Sequence, residues 1–98
     1  MKKKGMKFDG TDGGEVKPRW DLLPFGALTD VVRVLTFGAK KYDDDNWKHV
    51  ELYQERYFAA TMRHLVAWKT GEILDKETNL PHVAHAICCL LFILWKEQ

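Results

Sequence analysis

Residues 63–86 read Arg-His-Leu-Val-Ala-Trp-Lys-Thr-Gly-Glu-Ile-Leu-Asp-Lys-Glu-Thr-Asn-Leu-Pro-His-Val-Ala-His-Ala. Gly71 is placed to stop a helix and Pro81 to open another, so the stretch is a helix end, a short connection and a helix start. His64 falls near the end of the first helix, Glu72, Asp75 and Glu77 in the connection, and His82 and His85 one turn apart on the second. Imidazole nitrogens and carboxylate oxygens gathered at such a corner are the donors that hold a divalent ion and a water.

Upstream, apolar residues at helical spacing (Leu28, Val31, Val32, Leu35) predict a first helix over about 24–42, ending near Gly38 in the acidic turn Asp43-Asp44-Asp45-Asn46. The second helix is predicted over about 51–70. Phe58, Met62, Leu65 and Lys69 share one of its faces, and Tyr57, Thr61, His64 and Trp68 an adjacent one. The third, 82–96, is apolar nearly all round, a pattern of central or subunit-covered helices. The expected fold is all-α: a three-helix antiparallel protomer, completed into a bundle by self-association. No stretch carries a firm strand signal.

Composition narrows the class. A chain of 98 residues is one domain, and one this small buries a limited core. The net charge of +1 gives no general case for nucleic acid or membrane. Residues 1–16, polar and Gly-rich with Lys2, Lys3, Lys4 and Lys7, read as a flexible basic arm before a single domain over 17–98. Met1 to Lys7 runs into Gly and Asp rather than an apolar segment, so no secretory signal is expected. The apolar run 87–95 is shorter than the roughly 20 residues a bilayer requires. Cys88 and Cys89 are helix neighbours whose side chains diverge, and they read as small buried hydrophobes of a reducing cytoplasm.

At the corner two readings stand side by side. Oxygen ligands favour Mg²⁺ or Mn²⁺, and imidazole moves the preference toward Mn²⁺ or Zn²⁺. Alternatively the histidines are structural hydrogen-bonders and the acids cap an exposed loop. A charged His82 at a helix start would oppose the helix dipole, which suits a neutral ligand or base. A second group, Phe37-Gly38-Ala39-Lys40-Lys41-Tyr42 with Asn46-Trp47, suits a phosphate and a stacked base. It also suits a plain helix terminus with cations at its negative pole. Lys17-Pro18-Arg19 is a further candidate for phosphate.

The ordered series Lys17-Pro18-Arg19-x-Asp21-Leu22-Leu23-Pro24, Phe37 to Tyr42, Asn46-Trp47, Arg56-Tyr57-x-x-Ala60-x-x-Arg63-His64-Leu65-x-x-Trp68, Gly71-Glu72-x-x-Asp75-x-Glu77 and Leu80-Pro81-His82-x-x-His85-Ala86 resembles the small dATP/dGTP diphosphohydrolases. These are common in bacteriophages and are grouped with MazG-like all-α nucleotide pyrophosphohydrolases. The resemblance spans about residues 17–95.

It implies hydrolysis of a purine deoxynucleoside triphosphate, dGTP or dATP, to the monophosphate and pyrophosphate, with Mg²⁺ or Mn²⁺, by a homo-oligomer in the cytoplasm (that of the host, if phage-encoded). Glu72 and Asp75 would bind the metal, with His85 or His64 completing its shell. Glu77 or His64 would serve the attacking water. Lys17, Arg19, Lys40, Lys41 and Arg63 would meet phosphate, Tyr42 and Trp47 would flank the base, and Asn46 and His82 would also touch substrate. One departure stands out: the MazG pattern sets a Glu-Glu-x-x-Glu motif before Glu-x-x-Asp, and here the only upstream pair is Glu51 and Glu55, one turn apart and differently spaced. Two rivals remain, a His/Asp metal phosphohydrolase releasing triphosphate or phosphate, and a non-catalytic helical interaction module.

Overall fold

The structure, a computed structural model, describes residues 11–12 and 15–98. Three helices dominate it: α1 over Phe25–Lys41, α2 over Tyr53–Lys69 and α3 over His82–Lys96. Short 3-10 turns at Trp20–Leu22 and Asn46–His49 precede α1 and α2. The all-α expectation holds, and each predicted helix boundary falls within two residues of the observed one.

The arm expected over 1–16 lies mostly outside the described residues. Its described part forms a two-residue antiparallel pair, β1 (Thr11–Asp12) with β2 (Glu15–Val16), in the register Thr11 to Val16 and Asp12 to Glu15. Two residues a side are too few to show alternation, so hydrophobic periodicity carried no sign of it.

α3 is the central helix and packs against both α1 and α2. Its inward side is built from small residues, with Ala84, Ala86, Cys88 and Cys89 all buried. Small side chains let neighbouring helix axes approach closely. The core joins Val31 and Val34 of α1 to Ala84 and Cys88 of α3, flanked by Leu28, Leu35, Leu80 and Phe92. The Cys88 thiol donates to the Val31 carbonyl at 3.4 Å, and burial pushes that thiol up to about 12. Both cysteines are free and buried, as their adjacency on a helix predicts.

α2 turns its Tyr57, Thr61 and His64 side inward, while Phe58 and Met62 stay exposed. On α3, Val83, Ile87, Leu90 and Leu94 also face outward in this single chain, 37–56% exposed. An aromatic cluster closes the far end: Trp47 stacks on Phe92 at 4.7 Å and meets Trp95 edge-on at 5.0 Å. The Tyr57 hydroxyl donates to the Trp47 carbonyl at 2.9 Å, which fixes the 3-10 turn against α2.

Candidate active site

Two backbone devices build the corner. The first ends α2. Gly71 adopts φ +110°, its N–H reaches the Trp68 carbonyl at 3.1 Å, and the Glu72 N–H reaches Ala67 at 2.9 Å. This is a Schellman cap, in which a left-handed glycine satisfies the last helical carbonyls and turns the chain. Glu72 follows at once, so the cap sets where its side chain starts.

The second closes the connection. The Asp75 N–H donates to Leu80 at 2.8 Å and the His82 N–H to Ile73 at 2.9 Å, with Leu74 and Pro81 paired between them. Asn79 takes the left-handed turn position at φ 59°, which asparagine tolerates, and donates its N–H to the Asp75 carbonyl at 2.8 Å. The connection is thus a small closed hairpin, with Asp75 on one shoulder and His82 at the other.

The side chains then converge. The Nδ1 atoms of His64 and His82 lie 2.8 Å apart, and Nε2 of His82 lies 3.0 Å from Glu72 Oε1. An ionised Glu72 only accepts, so His82 carries its proton on Nε2, and its Nδ1 accepts from His64 Nδ1–H when both rings are neutral. The His85 ring stacks on His64 at 4.5 Å with 12° between planes. Asp75 Oδ2 accepts from the Glu77 N–H at 3.0 Å, the Thr78 N–H at 3.0 Å and the Thr78 hydroxyl at 3.2 Å.

Electrostatics follow from this packing. Burial pushes the Asp75 carboxyl up, but the Thr78 and Glu77 donors and the nearby His85 outweigh it and hold it below the usual carboxylate range. Burial, reinforced by the charges of His85 and His82, lowers His64. Burial also lowers His85, with Asp75 pulling the other way. Both rings are therefore neutral at neutral pH, with nitrogen lone pairs available to a cation or a proton.

The ligand atoms of His64, Asp75 and His82 all lie within 4.8 Å of one another. Neighbouring nitrogen ligands on one divalent ion stand about 3 Å apart at metal–nitrogen distances of about 2.0–2.1 Å, close to the present His64–His82 spacing. A carboxylate behind a ligating histidine is the usual support for such a ligand. The donor set fits a divalent cation.

Most expected site residues gather in two places. His64, Glu72, Asp75, Glu77, His82 and His85 form the corner. Tyr42, Asn46 and Trp47 line a cleft of about 800 Å³ between α1, α2 and α3, together with Gly38 and Asp43. Such a volume is in the range of small-molecule sites. Lys41 joins the two places: its Nζ pairs with Glu77 Oε2 at 2.6 Å and lies 5.4 Å from the centre of the Tyr42 ring. Arg63 is exposed on α2, and its charge reaches His64. Lys40 is exposed at the end of α1. Lys17 and Arg19 precede α1, where the Arg19 guanidinium pairs with Asp21 at 2.7 Å.

Sequence reasoning missed Thr78, Arg56 and Tyr57. Thr78 bridges Asp75 and His85, with Oγ1 2.7 Å from His85 Nε2. Its signal was available in Asp75-x-x-Thr78, a spacing that favours side-chain capping of a turn. Arg56 and Tyr57 line the cleft, one turn before Ala60.

The corner thus gathers imidazoles of α2 and α3 and carboxylates of the connection between them at one end of an all-α chain that also holds a cleft between its three helices. The chain belongs to the family described as dATP/dGTP diphosphohydrolase, N-terminal, which it matches over residues 7–98. A protein of Salmonella phage PMBT28 named dATP/dGTP diphosphohydrolase is 35% identical over 91 residues. That match takes in 93% of this chain but 29% of the phage protein, so the chain spans less than a third of that relative. No solved structure matches the chain. Among the described residues no helix is long and apolar enough to cross a membrane.

Proposed function

We propose that the chain hydrolyses purine deoxynucleoside triphosphates, dGTP or dATP, to the monophosphate and pyrophosphate with a divalent metal ion, Mn²⁺ or Mg²⁺. The observation that carries this reading is the convergence of His64, His82 and Asp75, with Lys41 reaching from Glu77 of that corner toward Tyr42 of the cleft that Asn46 and Trp47 also line. The name of the phage relative, dATP/dGTP diphosphohydrolase, supports its purine deoxynucleotide part.

In this reading His64, His82 and Asp75 hold the ion, with Glu72 supporting His82 from behind and His85 stacked alongside. When bound, the ion supplies Lewis acidity to the phosphoryl oxygens and lowers the pKa of a coordinated water. A water attacks the α-phosphorus, the bond to the pyrophosphate oxygen breaks, and the water proton passes to a carboxylate. Glu77 serves that role once Lys41 turns from it to the triphosphate. Lys40, Lys41 and Arg63 offset the negative charge that develops, with Lys17 and Arg19 as further phosphate contacts. The base enters the cleft, where Tyr42 offers a ring face and Asn46 a hydrogen-bonding edge, while Trp47, already stacked on Phe92, forms part of the wall.

The working unit is a homo-oligomer. Large apolar residues on α2 and α3 are 37–63% exposed in one chain, more than a stable soluble surface of this size normally leaves uncovered. The test is incubation with each deoxynucleoside triphosphate, with Mn²⁺, Mg²⁺ or EDTA, and identification of the products. Metal-dependent monophosphate plus pyrophosphate, fastest with dGTP or dATP, supports the reading. Released triphosphate or phosphate points to the other class of metal phosphohydrolase. No turnover with any metal leaves a non-catalytic helical module.

A further inference from the structure

Thr78 carries no charge, yet it sits between a carboxylate and an imidazole of the corner. Its hydroxyl lies 2.7 Å from His85 Nε2 and 3.2 Å from Asp75 Oδ2, and it accepts the Leu80 N–H at 3.2 Å. A hydroxyl has one proton and two lone pairs. Asp75 Oδ2 already accepts the Glu77 and Thr78 N–H groups at 3.0 Å, and a carboxylate at neutral pH can only accept, so the Thr78 proton must point to it. Were the proton turned to His85 instead, lone pairs of Oγ1 and Oδ2 would face each other. With the proton on Asp75, both lone pairs of Oγ1 are acceptors, one for Leu80 and the other for His85. His85 is then the Nε2–H tautomer, and Nδ1 is its unprotonated nitrogen.

We infer that Thr78 is a positioning residue of the corner: by donating to Asp75 and accepting from His85, its hydroxyl fixes the His85 tautomer and immobilises the Asp75 carboxylate. The inference rests on the metal-site reading above for its effect on cation binding, but not for its effect on His85. Thr78 also gives Asp75 a backbone N–H at 3.0 Å, which survives any side-chain change. Removing the hydroxyl therefore takes away its bonds to Asp75, His85 and the Leu80 N–H but leaves the loop's backbone pairs and this one bond to Asp75.

The experiment uses the full chain in three forms: unchanged, Thr78→Val and Thr78→Ser. Nitrogen-15 histidine spectra of the metal-free proteins at pH 8 report which ring nitrogen carries the proton. Calorimetric titration with Mn²⁺ reports affinity. The expected result is Nε2–H for His85 in the unchanged protein and in Thr78→Ser, with loss of that single tautomer in Thr78→Val. Mn²⁺ affinity falls about 10-fold or more in Thr78→Val and returns in Thr78→Ser, the size of effect that outer-sphere partners have on metal sites. An Nδ1–H tautomer in the unchanged protein would overturn the inference. So would a Thr78→Val protein with the unchanged spectrum and affinity, or a Thr78→Ser protein that behaves like Thr78→Val. If the unchanged protein binds no Mn²⁺, the metal reading falls, while the histidine spectra still decide whether Thr78 governs His85.

Discussion

His64 on α2 and His82 on α3 meet nitrogen to nitrogen, Nδ1 to Nδ1 at 2.8 Å, and Glu72 takes the far side of the His82 ring at 3.0 Å. The contact joins the two helices at the end where the chain passes between them. One ring is nearly fully buried, with the His82 side chain 6% exposed, while Glu72 is 36% exposed. A buried ring with both nitrogens engaged has little freedom to turn. The corner is therefore pre-shaped rather than assembled on demand.

Asp75→Asn removes the negative charge but keeps an oxygen for the Glu77 and Thr78 N–H donors, so the loop should persist. Turnover is expected to fall at least about 100-fold, with the helical circular dichroism unchanged. Full activity in this variant would remove Asp75 from the mechanism.

Glu72→Gln leaves an acceptor for His82 Nε2–H but no charge. A loss in Mn²⁺ affinity of about 10-fold is expected by calorimetry, with the fold intact. Affinity equal to that of the unchanged protein would show that Glu72 does not support a ligand.

Gly71→Ala tests the cap. Nothing lies within 4 Å of the position a Cβ would take, so the cost is conformational and not steric. At φ +110° an alanine is strained by roughly 1–2 kcal/mol. The expected outcome is a lower Tm together with weaker metal binding, because Glu72 is the next residue. A Tm within error of the parent would mean that the cap adds nothing.

Leu52 tests the opposite sign. It begins α2 at φ 55°, a left-handed conformation that leucine rarely adopts, and its side chain is 66% exposed. Little packing is lost on its removal, so Leu52→Gly should raise stability by up to about 1 kcal/mol in denaturant unfolding. A clear loss would show that the exposed leucine is covered in solution.

The pH dependence has one sign throughout. His64 and His85 are lowered by burial from the ordinary histidine value of 6.5, so the unfolded chain binds more protons as pH falls through 6.5. Their contribution to stability is full above that value and is lost toward the folded values below it. Asp75 is also lowered, from 3.8, and its contribution is present above that value and lost as pH falls further. Thermal melts without metal should therefore show Tm declining below about pH 6.5, with a second decline below about pH 4. A Tm that rises on acidification would contradict the arrangement of these rings.

The three helices were legible because their punctuation is strong. Gly71 and Pro81 mark boundaries through backbone geometry alone, and α3 begins at His82 as the proline requires. Periodicity named two faces of α2 but not which one packs. Thr61 and His64 turned inward because α3 offers small residues opposite, a fact that needs both helices at once. The corner was legible as a set of residue types. Its wiring was not, since the bridge between Leu74 and Pro81 is too short to leave an alternating pattern and Thr78 is an ordinary loop residue until His85 is folded over it. The cleft was half legible: Tyr42, Asn46 and Trp47 stand close in sequence, whereas Arg56 and Tyr57 reach it only through the packing of α2.

The closed hairpin between α2 and α3 has a consequence for what changes the chain can absorb. Surface connections usually accept insertions and deletions easily. Here the N–H groups of Asp75 and His82 are paired in register with Leu80 and Ile73, and Oδ2 of Asp75 reaches back over the same few residues. One residue added between Asp75 and Thr78 would break the side-chain bonds, and one added after Thr78 would shift His82 out of step with Ile73. This connection has to be counted residue by residue, like a strand.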